Sequence, residues 1–160
     1  MPSIQYYPIG FIHSPYTNIE GMPIQPSGAL GVQGWVEVEP EFQPALEDLE
    51  GFSHLILLYH FHRVREMVLK TTPFLDTEKR GLFSTRAPKR PNPIGLSIVK
   101  LLNVEENILH IENVDILDGT PLLDIKPYVP YFDRPNVERV GWLEQHKDQV
   151  RGKKSDDRFG

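Results

Sequence analysis

The chain has 160 residues, of which 39% are hydrophobic and 24% charged, with a formal net charge of -5 and no cysteine. That length suits one domain with a real core, and a mean hydropathy of -0.35 is that of a soluble globular protein. Lack of cysteine excludes disulfides, thiolate catalysis and thiolate-held metal, and it fits a cytoplasmic protein. The longest apolar run, Leu55–Tyr59, is far too short to span a bilayer, and no basic, apolar leader precedes the first strand, so neither a membrane span nor a signal peptide is expected.

Charge is unevenly distributed. Residues 1–62 contain seven acids and no Lys or Arg. Residues 63–100 contain nine bases against three acids, a local +6, and residues 101–160 carry eight bases and twelve acids. A concentrated basic block inside an acidic chain points to a polyanionic partner more strongly than the total charge does.

In chain order, Ile4–His13 reads as a first strand and Gln33–Val38 as a second. Between them lies a long loop rich in Pro, Gly, Ser and Asn. Phe42, Ala45, Leu46 and Leu49 fall at helical spacing, which predicts a short helix over Glu41–Leu49. Phe52–His62 is the strongest strand. Alternation puts Leu55, Leu57, Tyr59 and Phe61 on one face and His54, Ile56, Leu58, His60 and His62 on the other. Both faces are largely apolar, so the strand is expected to be central.

Three histidines on one face raise the question of metal. No third ligand in a usual register follows, so a packed or hydrogen-bonded His60 is the better reading, with His62 the site candidate and no metal expected. A polar, basic connector follows. Strand character returns at Gly81–Ser84, then at Ile94–Asn103 and Ile108–Asp115 around a turn at Glu105–Asn107. Val137–Lys147 carries a helical pattern and the last residues are polar. Altogether the pattern predicts a mainly β protein. About six strands form a small single-domain β-barrel with long Pro-rich loops and short peripheral helices.

Two stretches carry the chemistry. Phe83–Ser97, FSTRAPKRPNPIGLS, holds Arg86, Lys89 and Arg90 among three prolines, a stiff extended loop that loses little entropy on closing around an anion. A rigid turn with a solvated basic edge is the plainer alternative. Leu117–Asp133, LDGTPLLDIKPYVPYFD, has a turn signal at Asp118-Gly119 and places Asp124 and Lys126 on one side of an extended chain. Its Tyr128 and Tyr131 are stiffly held aromatics able to stack a base; an ordinary aromatic corner of the core explains them equally well. No Gly-rich phosphate loop, GxGxxG, GxSxG or HExxH string is present.

At these two loops the sequence resembles the methyltransferases that act on threonylcarbamoyl-adenosine in tRNA. The RPNPIG and DGTPLLDIKPY strings carry the likeness, with Ile9–Tyr16 and Phe52–His62 similar as well, over roughly residues 4–133. The resemblance implies a barrel domain over 4–135 with a C-terminal helical or flexible extension over 136–160. It implies S-adenosyl-L-methionine as cofactor, a homodimer, and the anticodon loop of tRNA as partner. The reaction it implies is methyl transfer to the exocyclic amine at position 37. By motif match the cofactor contacts fall on Pro26, Ser27, Gly28, His62, Arg63, Arg86, Leu96, Glu112, Asn113, Val114 and Asp115. Lys89, Arg90, Lys126, Tyr128 and Tyr131 would meet tRNA, and His62 and Asp118 are candidate bases. The first loop departs from the family pattern, with Ile24 where a cation is usual. A different methyl acceptor and a non-catalytic RNA-binding barrel are the competing readings.

Overall fold

A computed structural model describes residues 1–23 and 28–145. Six strands close into an antiparallel barrel: β1 (Gly10–His13), β2 (Gln33–Val38), β3 (His54–His60), β6 (Ile94–Glu105), β7 (Ile108–Glu112) and β8 (Thr120–Pro127). Their order around the wall is β1-β2-β7-β6-β3-β8. A two-stranded ribbon, β4 (Lys70–Thr71) and β5 (Arg80–Gly81), stands outside it. The barrel follows from period-2 patterning: β2 alternates exposed and buried residues throughout, and β3 buries Leu55, Leu57 and Tyr59. Inward side chains of Ile12, Val36, Leu55, Leu57, Val99, Leu109, Ile111 and Leu122 make one core. Among the described residues no helix is long and apolar enough to cross a membrane.

The central placement of β3 is found, between β6 and β8. Five expectations need correction. The first strand is only Gly10–His13; Pro8 interrupts the run, and Ile4, Tyr6 and Tyr7 are exposed with no ladder to join. The helix expected at Glu41–Leu49 is instead a 3₁₀ turn, Pro40–Leu46, followed by another at Leu49–Gly51, because Pro44 removes an amide from the middle. Gly81–Ser84 contributes only the last residue of β5 before a 3₁₀ turn at Leu82–Ser84. The sixth barrel strand is β8, from the Pro-rich stretch read as a rigid loop. Pro121 and Pro127 sit near its two ends, and the ladder with β3 runs between them with one register shift at Leu123. In the tail, the helix expected over Val137–Lys147 is not found among the described residues: 137–140 are irregular and Gly141–Gln145 forms a 3₁₀ turn, while 146 and 147 lie outside the described residues.

Because neighbouring strands are antiparallel, the C-terminal ends of β1, β3 and β7 and the N-terminal ends of β2, β6 and β8 form one rim. The segment between β3 and β6 folds over as an excursion with a small core of its own, Leu82 and Ala87 packed with Val68 and Phe74. It is tied back by the Val68 amide on the Lys89 carbonyl (3.1 Å) and the Phe61 amide on Pro93 (2.8 Å). Trp142 donates its indole N–H to the Ser84 carbonyl (2.8 Å), docking the C-terminal turn on the same excursion.

Candidate functional site

The rim gathers residues from every second connection. Gly28 precedes β2, His62 and Arg63 follow β3, Arg86 and Leu96 flank the start of β6, Glu112–Asp115 end β7, and Asp118 precedes β8. Asn113 adopts a left-handed conformation (φ 67°), and its side-chain oxygen accepts the Gly31 amide at 3.0 Å. The Val114 amide reaches the Val32 carbonyl at 3.2 Å. The first loop is thereby pinned against the β7 end. Pro26, Ser27 and Ile24 lie outside the described residues.

At the centre is a hydrogen-bonded series that crosses from the core to the rim. Ser97 donates to Asp115 Oδ1 at 2.6 Å, and Tyr59 Oη meets Ser97 Oγ at 2.8 Å. With the serine proton committed to the carboxylate, the tyrosine hydroxyl is the donor in the second bond. Burial pushes the Asp115 carboxyl up to about 6; the Ser97 bond and the Arg86 charge pull the other way and only partly offset it. Burial also pushes the Tyr59 phenol well above its ordinary range, and the Asp115 charge adds to this. Tyr16, between β1 and β2, is raised for the same two reasons. Arg86, Asp115, Tyr16 and Tyr59 thus share one electrostatic neighbourhood, assembled from four separate parts of the chain.

The candidate bases differ from this group. His62 is exposed on the turn after β3, and desolvation followed by the Arg63 and His60 charges holds its pKa below the usual value. The Asp118 carboxylate is a corner post: Oδ1 accepts the Ser14 amide at 3.1 Å and lies 3.3 Å from His13 Nδ1. His13 in turn stacks on Trp35, centroids 4.9 Å apart. His54 bonds Ser53 Oγ at 2.8 Å and packs edge-on with Tyr128. Leu96, 45% exposed, points to the outer wall, whereas Ser97 beside it points inward.

The residues proposed for tRNA fall into two places. Lys89 and Arg90 are on the excursion, and both are engaged within it. Lys89 pairs with Glu66 at 3.3 Å, and Arg90 Nη1 donates to the Thr85 and Ala87 carbonyls at 2.8 and 3.1 Å. Lys126, Tyr128 and Tyr131 follow the C-terminal half of β8, at the other end of β3 from His62. The side-by-side reading of Asp124 and Lys126 is found as an ion pair of 2.8 Å. Arg63, Arg65, Lys70 and Lys79 are exposed and form no ion pair among the described residues. Shallow clefts of about 470 and 510 Å³ lie near the opposite rim, lined in part by Glu47 with Asp48 and Glu50 or Glu106, a poor setting for an anion.

Sequence reading missed Tyr59, Ser97 and Tyr16. One signal was available: Ser97 is a polar residue at an inward position of an apolar alternating run, two residues after Gly95.

The rim's donor set suits S-adenosyl-L-methionine. It brings together one guanidinium, Arg86, and two carboxylates, Glu112 and Asp115, the charges that an amino-acid group and a ribose would call for, and Phe83 adds exposed apolar surface on the excursion. Comparison with known proteins agrees with this chemistry. A probable S-adenosyl-L-methionine-binding protein of Pyrococcus abyssi is 55% identical over 157 residues, covering 98% of this chain and 85% of the relative. The human tRNA (adenine(37)-N6)-methyltransferase is 38% identical over 80% of this chain, which spans 31% of that enzyme. The crystal structure of TrmO from Pseudomonas aeruginosa superposes with a TM-score of 0.74 at 40% identity, covering 88% of this chain and 63% of that one. Residues 11–134 match the family model described as the tRNA-methyltransferase O N-terminal domain, and the chain belongs to that family.

Proposed function

We propose that this protein is an S-adenosyl-L-methionine-dependent tRNA methyltransferase acting on the exocyclic nitrogen of threonylcarbamoyl-adenosine at position 37, next to the anticodon. The observation that carries the reading is that Arg86 and the buried Asp115 carboxylate, opposite charges, share one electrostatic neighbourhood at the rim, within the stretch matched to the family model. When bound, the cofactor supplies an electrophilic methyl group. The chain's own residues bind and orient. Arg86 would hold the cofactor's carboxylate and Glu112–Asp115 its opposite pole, with Gly28, His62 and Arg63 at the same rim. A displacement of this kind depends mainly on in-line placement, so a site without a nucleophilic triad is adequate.

The excursion's cations would meet backbone phosphates, and Tyr128 or Tyr131 a splayed base. In this reading residues 4–135 are the catalytic barrel, 136–160 an extension, and the enzyme works in the cytoplasm. A homodimer is supported by the outer wall of β3 and β6. There Ile56 pairs with Ile98, Leu58 with Leu96, and Ile94 extends an apolar surface. Glutamate at Leu58 or Ile98 should give monomers by light scattering; unchanged mass would exclude that face.

The deciding experiment mixes the purified chain with labelled S-adenosyl-methionine and tRNA from cells that make threonylcarbamoyl-adenosine or cannot. Label confined to the competent pool, at position 37, is the expected result. Cofactor binding without label in either pool would assign the methyl group to another acceptor.

A further inference from the structure

The barrel interior is largely apolar. Ser97 is 1% exposed, and it is the polar residue among the side chains less than 2% exposed. Its hydroxyl spends its proton on Asp115 and receives one from Tyr59. A buried serine in this position is costly unless both bonds are made. Both are made, and their direction is fixed: tyrosine to serine to carboxylate. The series ends at a carboxylate at the rim, beside Arg86, where an acceptor amine would arrive.

We propose that Asp115 is the base that takes the proton from the acceptor nitrogen, with Ser97 and Tyr59 as positioning residues that aim its carboxylate. This role rests on the methyl-transfer reading above. The acceptor nitrogen's electron pair forms the new bond to the methyl carbon, and the carbon–sulfur bond breaks with its electrons remaining on sulfur. The proton leaves nitrogen for the Asp115 carboxylate and passes from there to water.

The groups facing Asp115 are Arg86 from the excursion, Tyr59 from β3, Tyr16 from the loop after β1, and Ser97 from β6. Arg86 favours the ionised base. The two phenols stay neutral across the working range, so the carboxylate is the group in this cluster that titrates near neutrality. A base titrating close to the working pH is the efficient choice for proton removal.

The test uses the full chain, threonylcarbamoylated tRNA, and Asp115→Asn, Ser97→Ala and Tyr59→Phe. Cofactor affinity is measured by calorimetry and the rate as a single-turnover pH profile. The Asp115 carboxyl is also titrated by carbon NMR in the cofactor-free protein. Expected are a wild-type rate with an acidic limb at the pH where the NMR signal titrates, and an Asp115→Asn rate that stays lower by about 10²–10⁴-fold at saturating cofactor. Ser97→Ala should move both the limb and the NMR titration to higher pH, because the lost bond favoured the ionised form; Tyr59→Phe should move them the same way by less. A merely structural serine would lower the rate without moving either. An Asp115→Asn rate restored by saturating cofactor, or a limb unmoved in Ser97→Ala, overturns the base assignment alone. No methylation by the wild type at any pH overturns the functional reading together with it.

Discussion

Gly95 faces Tyr59 directly across the β3–β6 ladder, so close that a Cβ on the glycine would strike the phenol ring at Cε2 and Cζ, and Phe61 behind it. Tyr59 and Phe61 are themselves packed edge to face, with ring centroids 5.6 Å apart. The ring can lie over the backbone of β6, and so bring its hydroxyl to Ser97, because residue 95 has no side chain.

Gly95→Ala should therefore act on the site as well as on the fold. Overpacking of this kind costs about 1–3 kcal/mol. The displaced ring would leave Ser97 without its donor. A denaturant melt should show the loss of stability, and Tyr59 hydroxyl protection in NMR should fall with it. Unchanged stability would mean that the wall yields at this point.

Asp115 is expected to weaken the fold at neutral pH. Its folded pKa, about 6, is above the ordinary 3.8, so between these values the native state holds the proton more tightly than the unfolded chain. Its contribution is favourable below the unfolded value and is lost as pH rises through the folded one. Asp115→Asn keeps an oxygen for Ser97 and removes the charge. It should stabilise the protein by about 1–3 kcal/mol at pH 7.5 and by little at pH 4, read from paired thermal melts. A difference that does not vary with pH would exclude a desolvated carboxylate.

Arg90 organises the proline loop from within. One guanidinium nitrogen bonds two carbonyls and the group lies 5.7 Å from the Phe83 ring centre. Arg90→Ala should cost about 1–3 kcal/mol, as charge-assisted bonds to carbonyls do. Arg90→Lys should recover only part of this, since an ammonium lacks the planar fork. Faster amide exchange over residues 85–93 is the expected signature; unaltered exchange would return Arg90 to the surface.

Phosphate contacts should be made by the exposed cations rather than by those engaged inside the excursion. Alanine at Arg63, Arg65, Lys70 or Lys79 that removes one phosphate contact should lower the salt dependence of tRNA binding by about 0.7–0.9 in log–log slope. Alanine at Lys89 should change it less, because Glu66 already neutralises that charge. Equal slopes for all five variants and the wild type would move the RNA to another face.

Much of the architecture was legible in local pattern. Alternation marked β2 with its bounds, β3 as central, and β6 and β7 to within a few residues, because burial on a pleated wall leaves a period of two in the sequence. Strand β8 was hidden by its prolines, whose harm depends on which amides the ladder uses, and that is settled only by the neighbours β1 and β3. The separation of Lys126 and Tyr128 from the rim follows from the same strand's direction. Tyr59, Ser97 and Asp115 are far apart along the chain and carry no common spacing; closure of the barrel places two hydrogen bonds between them, and burial there shifts the carboxyl. Composition and periodicity thus determined which residues face inward. Only the closed wall decided which of those inward groups meet, since that depends on register across strands rather than on order along them.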